Sequence, residues 1–97
     1  MTIDKKFEEG KLSVVLEGRL DTNTAPQLEA ALEYDGVETL EFDFKELVYV
    51  SSAGLRVLLA ARKAINASKG TMVIRNVNDT IMEVFEITGF ADILTIE

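Results

Sequence analysis

The sequence predicts one α/β domain: a mixed, mostly parallel sheet of four to five strands, with helices mainly on one face and an antiparallel strand at the N-terminus. Three observations lead there. Extended and helical stretches alternate with short connections, and such strand-helix-strand units close as right-handed parallel crossovers. The clearest strand, Thr39-Leu40-Glu41-Phe42-Asp43-Phe44, alternates strictly between polar and apolar residues. A parallel strand covered on both sides is apolar throughout, so this alternation leaves one face of the sheet wet and puts the helices on the other. Finally, the chain opens with two extended runs separated only by Glu9-Gly10, which makes a hairpin the economical connection.

The elements follow in order. Thr2 to Glu8 and Lys11 to Leu20 form the hairpin, the second strand placing Leu12, Val14, Leu16 and Leu20 on one face and Ser13, Glu17 and Arg19 on the other. After Asp21, Thr24-Ala25-Pro26-Gln27 has the form of a capping box, with Thr24 as N-cap and proline tolerated in the first turn. Leu28, Ala31 and Leu32 make the buried stripe of a short helix, expected to stop near Asp35-Gly36. The next strand turns Leu40, Phe42 and Phe44 inward, and an extended run continues through Val48-Tyr49-Val50. A helix from about Ala53 to Ala67 repeats Leu55, Leu58, Leu59, Arg62 and Ile65 at spacings of three and four. Ser51 or Ser52 caps it, and Gly70, in the left-handed conformation, closes it. Thr71 to Asn76 is a strand. Asn78 or Asp79 caps a third helix whose Ile81, Val84, Phe85 and Thr88 share a face, Gly89 ends it, and Ile93 to Ile96 add a final short strand.

Composition bounds the function. Ninety-seven residues, 47% of them apolar and one of them proline, make a single globular domain spanning 1–97. The net charge of −7 disfavours nucleic acid and anionic membrane surfaces and points to a basic partner surface. The absence of cysteine and histidine removes disulfides, thiolate chemistry, imidazole bases and the commonest zinc ligands, leaving only carboxylate binding of magnesium open. No apolar run reaches the length of a membrane span and the N-terminus lacks a signal h-region, so a cytoplasmic protein without membrane insertion is expected.

The chain is organised around Val48-Tyr49-Val50-Ser51-Ser52-Ala53-Gly54-Leu55-Arg56, where extended chain gives way to helix across two serines. Capping alone accounts for a serine here. Two details go beyond it. The first turn carries no acid, although acids are favoured at the positive end of the helix dipole. Gly54 is a poor helix former that removes the side chain otherwise crowding the free N–H groups. A phosphate on Ser52 would meet those donors, with Arg56 one turn away on the same face.

These residues resemble the phosphorylation-site turn of the STAS family, the domain of sulphate transporters and anti-sigma-factor antagonists. The family's common form is Asp-Ser-Ser/Thr-Gly-Leu-Gly. Aligned on Gly54-Leu55, Ser52 falls on the phosphorylated serine, while Ser51 replaces the usual Asp, Ala53 the second hydroxyl residue and Arg56 the second glycine. Leu16-Glu17-Gly18-Arg19-Leu20-Asp21 resembles the family's Gly-x-Leu-Asp, and Phe85-Glu86-Ile87-Thr88-Gly89-Phe90 its late Phe-x-x-x-Gly-Leu/Phe, so the resemblance covers nearly the whole chain. It implies a βα superhelix with strands roughly in sequence order after an antiparallel first strand. It also implies a partner-binding surface made by Asp21, Thr22, Asn23 and Thr24 with Ser51, Ser52, Ala53, Gly54, Leu55 and Arg56. On the residues alone, Asp21 is a turn residue bonding the backbone of the adjoining loop. The resemblance adds a role beside the acceptor serine, orienting its hydroxyl and repelling a phosphate once one arrives.

The function implied is that of a bacterial anti-sigma-factor antagonist, a phosphoprotein in signal transduction and transcription regulation. Unphosphorylated, it binds an anti-sigma factor that is also a serine kinase and so frees sigma factor; phosphorylation at Ser52 inactivates it and a phosphatase restores it. ATP and Mg²⁺ then belong to the kinase, and the domain, expected as a monomer, has no cofactor, metal or catalytic residue of its own. A second reading keeps the fold and drops the switch: an accessory subunit, for instance of a lipid-transport assembly, or a domain sensing a nucleotide or other anion. The missing Asp before Ser52 favours it. A third, an enzyme with Ser52 as nucleophile, lacks an adjacent base, a Ser-x-x-Lys spacing and a glycine-rich phosphate loop.

Overall fold

A computed structural model describes Met1–Glu97. Four strands, β1 (Thr2–Glu8), β2 (Lys11–Leu20), β3 (Thr39–Val50) and β4 (Thr71–Arg75), form one sheet in the order β1-β2-β3-β4. β1 is antiparallel to β2, and β2, β3 and β4 are parallel. The helices are α1 (Ala25–Ala31), α2 (Ser52–Ala67) and α3 (Asp79–Thr88). This is the fold class the sequence predicts, with four strands.

Glu9 (φ 49°) and Gly10 (φ 82°) both take left-handed backbone, the turn geometry whose twist suits a two-residue hairpin. Alternation then sorts the sheet. Leu12, Val14, Leu16 and Leu20 of β2 and Leu40, Phe42 and Phe44 of β3 are buried, and they join residues of all three helices in one cluster of 23 buried apolar side chains. Full burial of a Leu or Phe contributes about 1.5–3 kcal/mol, so this one-sided layer holds the helices in place. On the opposite face, Glu41 Oε2 meets Lys11 Nζ and Arg75 Nε, each at 3.2 Å, and Arg75 Nη2 meets Glu97 Oε1 at 3.1 Å. A face built of such pairs is compatible with water.

β3 is irregular in a way the sequence does not announce. Its pairing with β2 steps from Val15↔Asp43 to Glu17↔Glu46, and from Gly18↔Leu47 to Arg19↔Tyr49, each time with an extra residue on β3. Every such bulge reverses the facing of the residues beyond it. The inward series therefore runs Leu40, Phe42, Phe44, then Leu47, then Val50, while Val48 is 58% exposed. Side chains serve the disturbed ladder: Asp43 Oδ1 accepts from Lys45 N and from Asn76 Nδ2, both at 2.9 Å, and Leu47 O accepts from Asn78 Nδ2 at 3.0 Å.

Five expectations are corrected. Thr24 makes no side-chain capping bond, and α1 ends at Ala31, where Lys5 Nζ donates to the Ala31 carbonyl at 2.6 Å, short of Asp35-Gly36. Lys69 rather than Gly70 takes the left-handed conformation after α2 (φ 62°). The closure is a Schellman motif, with Lys69 N–H donating to Asn66 O at 3.0 Å and Gly70 N–H to Ile65 O at 2.8 Å. Glycine is needed at 70 for room, since a Cβ would lie 2.7 Å from the Glu38 carbonyl oxygen. Thr88 is exposed, its hydroxyl donating to Val84 O at 2.7 Å. In place of a last strand, Phe90–Asp92 form a 3-10 turn, after which Ile96 makes one parallel bridge to Ile74. Asn78 caps α3 by accepting from Ile81 N at 2.8 Å, and Gly89 (φ 82°) ends it, as expected.

Candidate functional site

β2 and β3 finish level with one another: Leu20 pairs with Val50, and the Ser51 N–H donates to Leu20 O at 2.9 Å. The loop after Asp21 and the turn at Ser51-Ser52 therefore leave the sheet side by side, at the C-terminal edge where parallel strands collect their chemistry. Ser51 has extended backbone (φ −96°, ψ 176°) and is the cap of α2, its Oγ accepting from Gly54 N at 3.5 Å and its carbonyl from Leu55 N at 2.9 Å. Ser52 is thus left as the first helical residue, exposed. Its N–H and that of Ala53 are donors without an intrahelical partner. The first turn holds no acid, and Arg56, one turn on, is exposed.

Gly54 has a different cause from the one its sequence position suggests. A Cβ there would lie 2.7 Å from Leu20 Cγ and 3.0 Å from the Leu20 carbonyl oxygen, so glycine lets the helix entrance rest on the end of β2. Gly54 and Leu55 are buried and support the turn from beneath. Of the other residues assigned to the partner surface, Thr22, Asn23, Ser52 and Arg56 are exposed, and Asp21, Thr24, Ser51 and Ala53 are half-buried.

The Asp21 loop is self-contained. Thr24 Oγ1 accepts from Asp21 N at 2.8 Å and donates to Arg19 O at 2.7 Å, while Asp21 Oδ1 accepts from Asn23 N at 3.0 Å and Thr24 N at 3.1 Å. The hydroxyl expected to cap α1 is engaged here instead. The Thr24 N–H holds the Asp21 carboxyl below the ordinary range against partial desolvation, helped by Asn23, the Thr24 hydroxyl and Arg19. At neutral pH the residue is therefore an anion. Its hydrogen bonds stay within the loop, and none reaches Ser52. Arg19, absent from the sequence-derived surface, sits 4.4 Å over the Tyr49 ring with Nε 3.7 Å from Asp21 Oδ2, bracing the loop against β3. A basic and an aromatic residue that are neighbours only through a bulged register leave no signal in the sequence.

No cleft opens at Ser52. The two concavities of the domain lie elsewhere, one of about 370 Å³ lined by Lys5, Phe7, Leu12, Glu33, Asp35 and Val37, the other among Lys6, Glu8, Glu9, Lys11 and Ser13. An exposed edge of this kind suits docking of another macromolecule better than enclosure of a small one.

The STAS domain profile matches residues 2–97. The anti-sigma-B factor antagonist of Listeria monocytogenes is 31% identical over 96 residues, covering 96% of this chain and 84% of the relative. Its counterpart in Staphylococcus aureus is 33% identical over 96 residues, covering 96% and 85%. Among solved structures, the unphosphorylated anti-sigma factor antagonist SpoIIAA superposes with a TM-score of 0.85 at 20% identity, covering 99% of this chain and 88% of that one. The phosphorylated form of the Bacillus protein SpoIIAA gives 0.76 at 21% identity, covering 99% and 91%. At such identities the likeness speaks for the fold, while the profile and the curated relatives speak for descent. The chain belongs to the STAS domain family.

Proposed function

We propose that this protein is an anti-sigma factor antagonist whose docking is switched off by phosphorylation of Ser52. Its partner is an anti-sigma factor with serine kinase activity, which brings ATP and Mg²⁺; a phosphatase reverses the modification, and the exchange takes place in the cytoplasm. The names of its relatives support the antagonist role. The observation that carries the switch is the exposed Ser52 at the acid-free entrance of a 16-residue helix, beside the anionic Asp21 loop.

Unmodified, this edge presents a neutral hydroxyl to the partner. Phosphorylation adds about −1.5 to −2 charges, which must be desolvated in the contact and are repelled by Asp21. The free N–H groups of the first turn and Arg56 stabilise the phosphate, so the domain stays folded while the contact is lost.

The test uses the purified anti-sigma factor of the source organism with ATP. Ser52→Ala is expected to take up no phosphate, and Ser52→Asp to bind at least about tenfold more weakly, roughly 1.4 kcal/mol. Full phosphate uptake by Ser52→Ala would move the acceptor to Ser51 or elsewhere. Binding unchanged in Ser52→Asp would favour a constitutive accessory role.

A further inference from the structure

Between Glu46 and Asp79 the chain contains no acidic residue, although acids outnumber Lys and Arg by 17 to 10 overall. The charged residues in that interval are Arg56, Arg62, Lys63, Lys69 and Arg75. Arg75 is paired with Glu41 and Glu97 on the wet face of the sheet. The other ion pairs, Lys6–Glu8, Lys11–Glu41 and Arg19–Asp21, lie outside the interval, so the cations of α2 are unpaired. At about 3.6 residues per turn, Ser52, Arg56, Leu59, Lys63 and Asn66 fall on one line along α2. Leu59 is half-buried and the others are exposed.

We infer that this stripe is the docking surface for an acidic helical segment of the partner, with carboxylates opposite Arg56 and Lys63 and an apolar side chain against Leu59. The inference rests on the proposed function for the partner's identity, and charge complementarity supplies its chemistry. The net charge of −7 points the other way, toward a basic partner. At physiological salt, however, the Debye length is about 8 Å, so charges lining a contact outweigh those on the far side of the domain. Arg56 and Lys63 are separated by roughly 10 Å along the helix axis, the spacing of acids seven apart on a second helix. The stripe begins at Ser52. A phosphate there converts its first position from neutral to anionic, engages Arg56, and repels the same acidic segment. The switch thus acts on an attraction already built into the helix.

Lys63 lies far enough from Ser52 to separate the two ideas. Binding of the purified anti-sigma factor to wild type, Lys63→Gln and Lys63→Glu is measured at about 50 and about 300 mM salt, with urea unfolding as a check on the fold. The stripe predicts weakening in the order Glu over Gln, about tenfold or more for Lys63→Glu at low salt, and a salt dependence flatter than that of wild type. Unchanged affinity in Lys63→Glu, with Ser52→Asp still weakened, overturns the stripe and leaves the proposed function standing. Equal, salt-insensitive losses in both Lys63 variants overturn the acidic partner. Failure of the wild-type protein to bind the anti-sigma factor overturns both.

Discussion

Leu20 and Gly54 meet so closely that the last residue of β2 forms the floor of the α2 entrance: its carbonyl oxygen is 3.0 Å from where a Cβ on residue 54 would stand, and its Cγ 2.7 Å. Backbone cannot step aside as a flexible side chain would. Gly54→Ala is therefore expected to lose about 1–3 kcal/mol, the usual cost of overpacking, despite the better helix propensity of alanine. The urea midpoint measures it; an unchanged or higher midpoint would show that the entrance can shift freely.

Thr24 gives a second prediction. Replacing it with valine keeps the shape and removes the hydroxyl that accepts from Asp21 N and donates to Arg19 O. The half-buried Asp21 N–H and the exposed Arg19 carbonyl lose their partner, at a cost of about 1 kcal/mol, and Thr24→Ser should recover most of it. Amide exchange at Asp21 should speed up in the valine variant alone.

Ser52→Asp puts a negative side chain at the first helical position, where the dipole favours it. Its stability should match or exceed wild type by about 0.3–1 kcal/mol, even as binding falls. A clear drop in the thermal midpoint would mean that weakened binding reflects a damaged fold.

Acid should unfold the domain through a small set of carboxylates. Asp21 is held low by the Thr24 N–H, and Asp43 by its bond from Asn76. At Glu41 partial desolvation pushes upward, but Lys11 and Arg75 together outweigh it. Folded values below the unfolded ones mean that the native state binds fewer protons, so this stability is complete above their ordinary values, about 4, and is lost as pH falls through the lower folded values. With no histidine in the chain, the urea midpoint should be level from about pH 5 to 8 and fall steeply below about pH 4. Asp43→Asn should soften that fall.

Lys69 occupies left-handed backbone at φ 62°. An L side chain is penalised there and glycine is not, so Lys69→Gly should stabilise by up to about 1 kcal/mol, measured by thermal unfolding. Gly70→Ala, one residue on, should do the reverse, because its Cβ would meet the Glu38 carbonyl oxygen at 2.7 Å.

Much of this was legible in the residues. Alternation in β2 and β3 gave the one-sided core, the short Glu9-Gly10 link gave the antiparallel first strand, and the Ser-Ser-Ala-Gly-Leu-Arg turn pointed to the exposed edge at Ser52. The features that stayed hidden depend on contacts between distant residues. Thr24 had a capping position and used its hydroxyl backwards, on Arg19 and Asp21, because the tight exit from β2 needed it more. Gly54 read as a glycine that uncovers the N–H groups of the first turn and Gly70 as one that takes left-handed backbone, yet each serves a close approach, to Leu20 and to Glu38, that only the assembled fold creates. The acid-free interval was open to inspection all along, but it gains direction only once α2 lines its cations up with Ser52.

The paired irregularities in β3 bear on how this domain tolerates insertions and deletions. One extra residue turns Leu47 inward in place of its even-numbered neighbours, and the second restores Val50 to the core side. Loss of a single extra residue, Val48 for example, would remove one bulge and its local bend while Val50 kept its pairing with Leu20 and its inward facing. Loss of both extra residues would leave β3 as many steps as β2, so the strand would still end level with Leu20, as a regular ladder without its bends. A change of one or two residues in this segment should therefore be taken up by the bulges and leave the serine turn beside the end of β2.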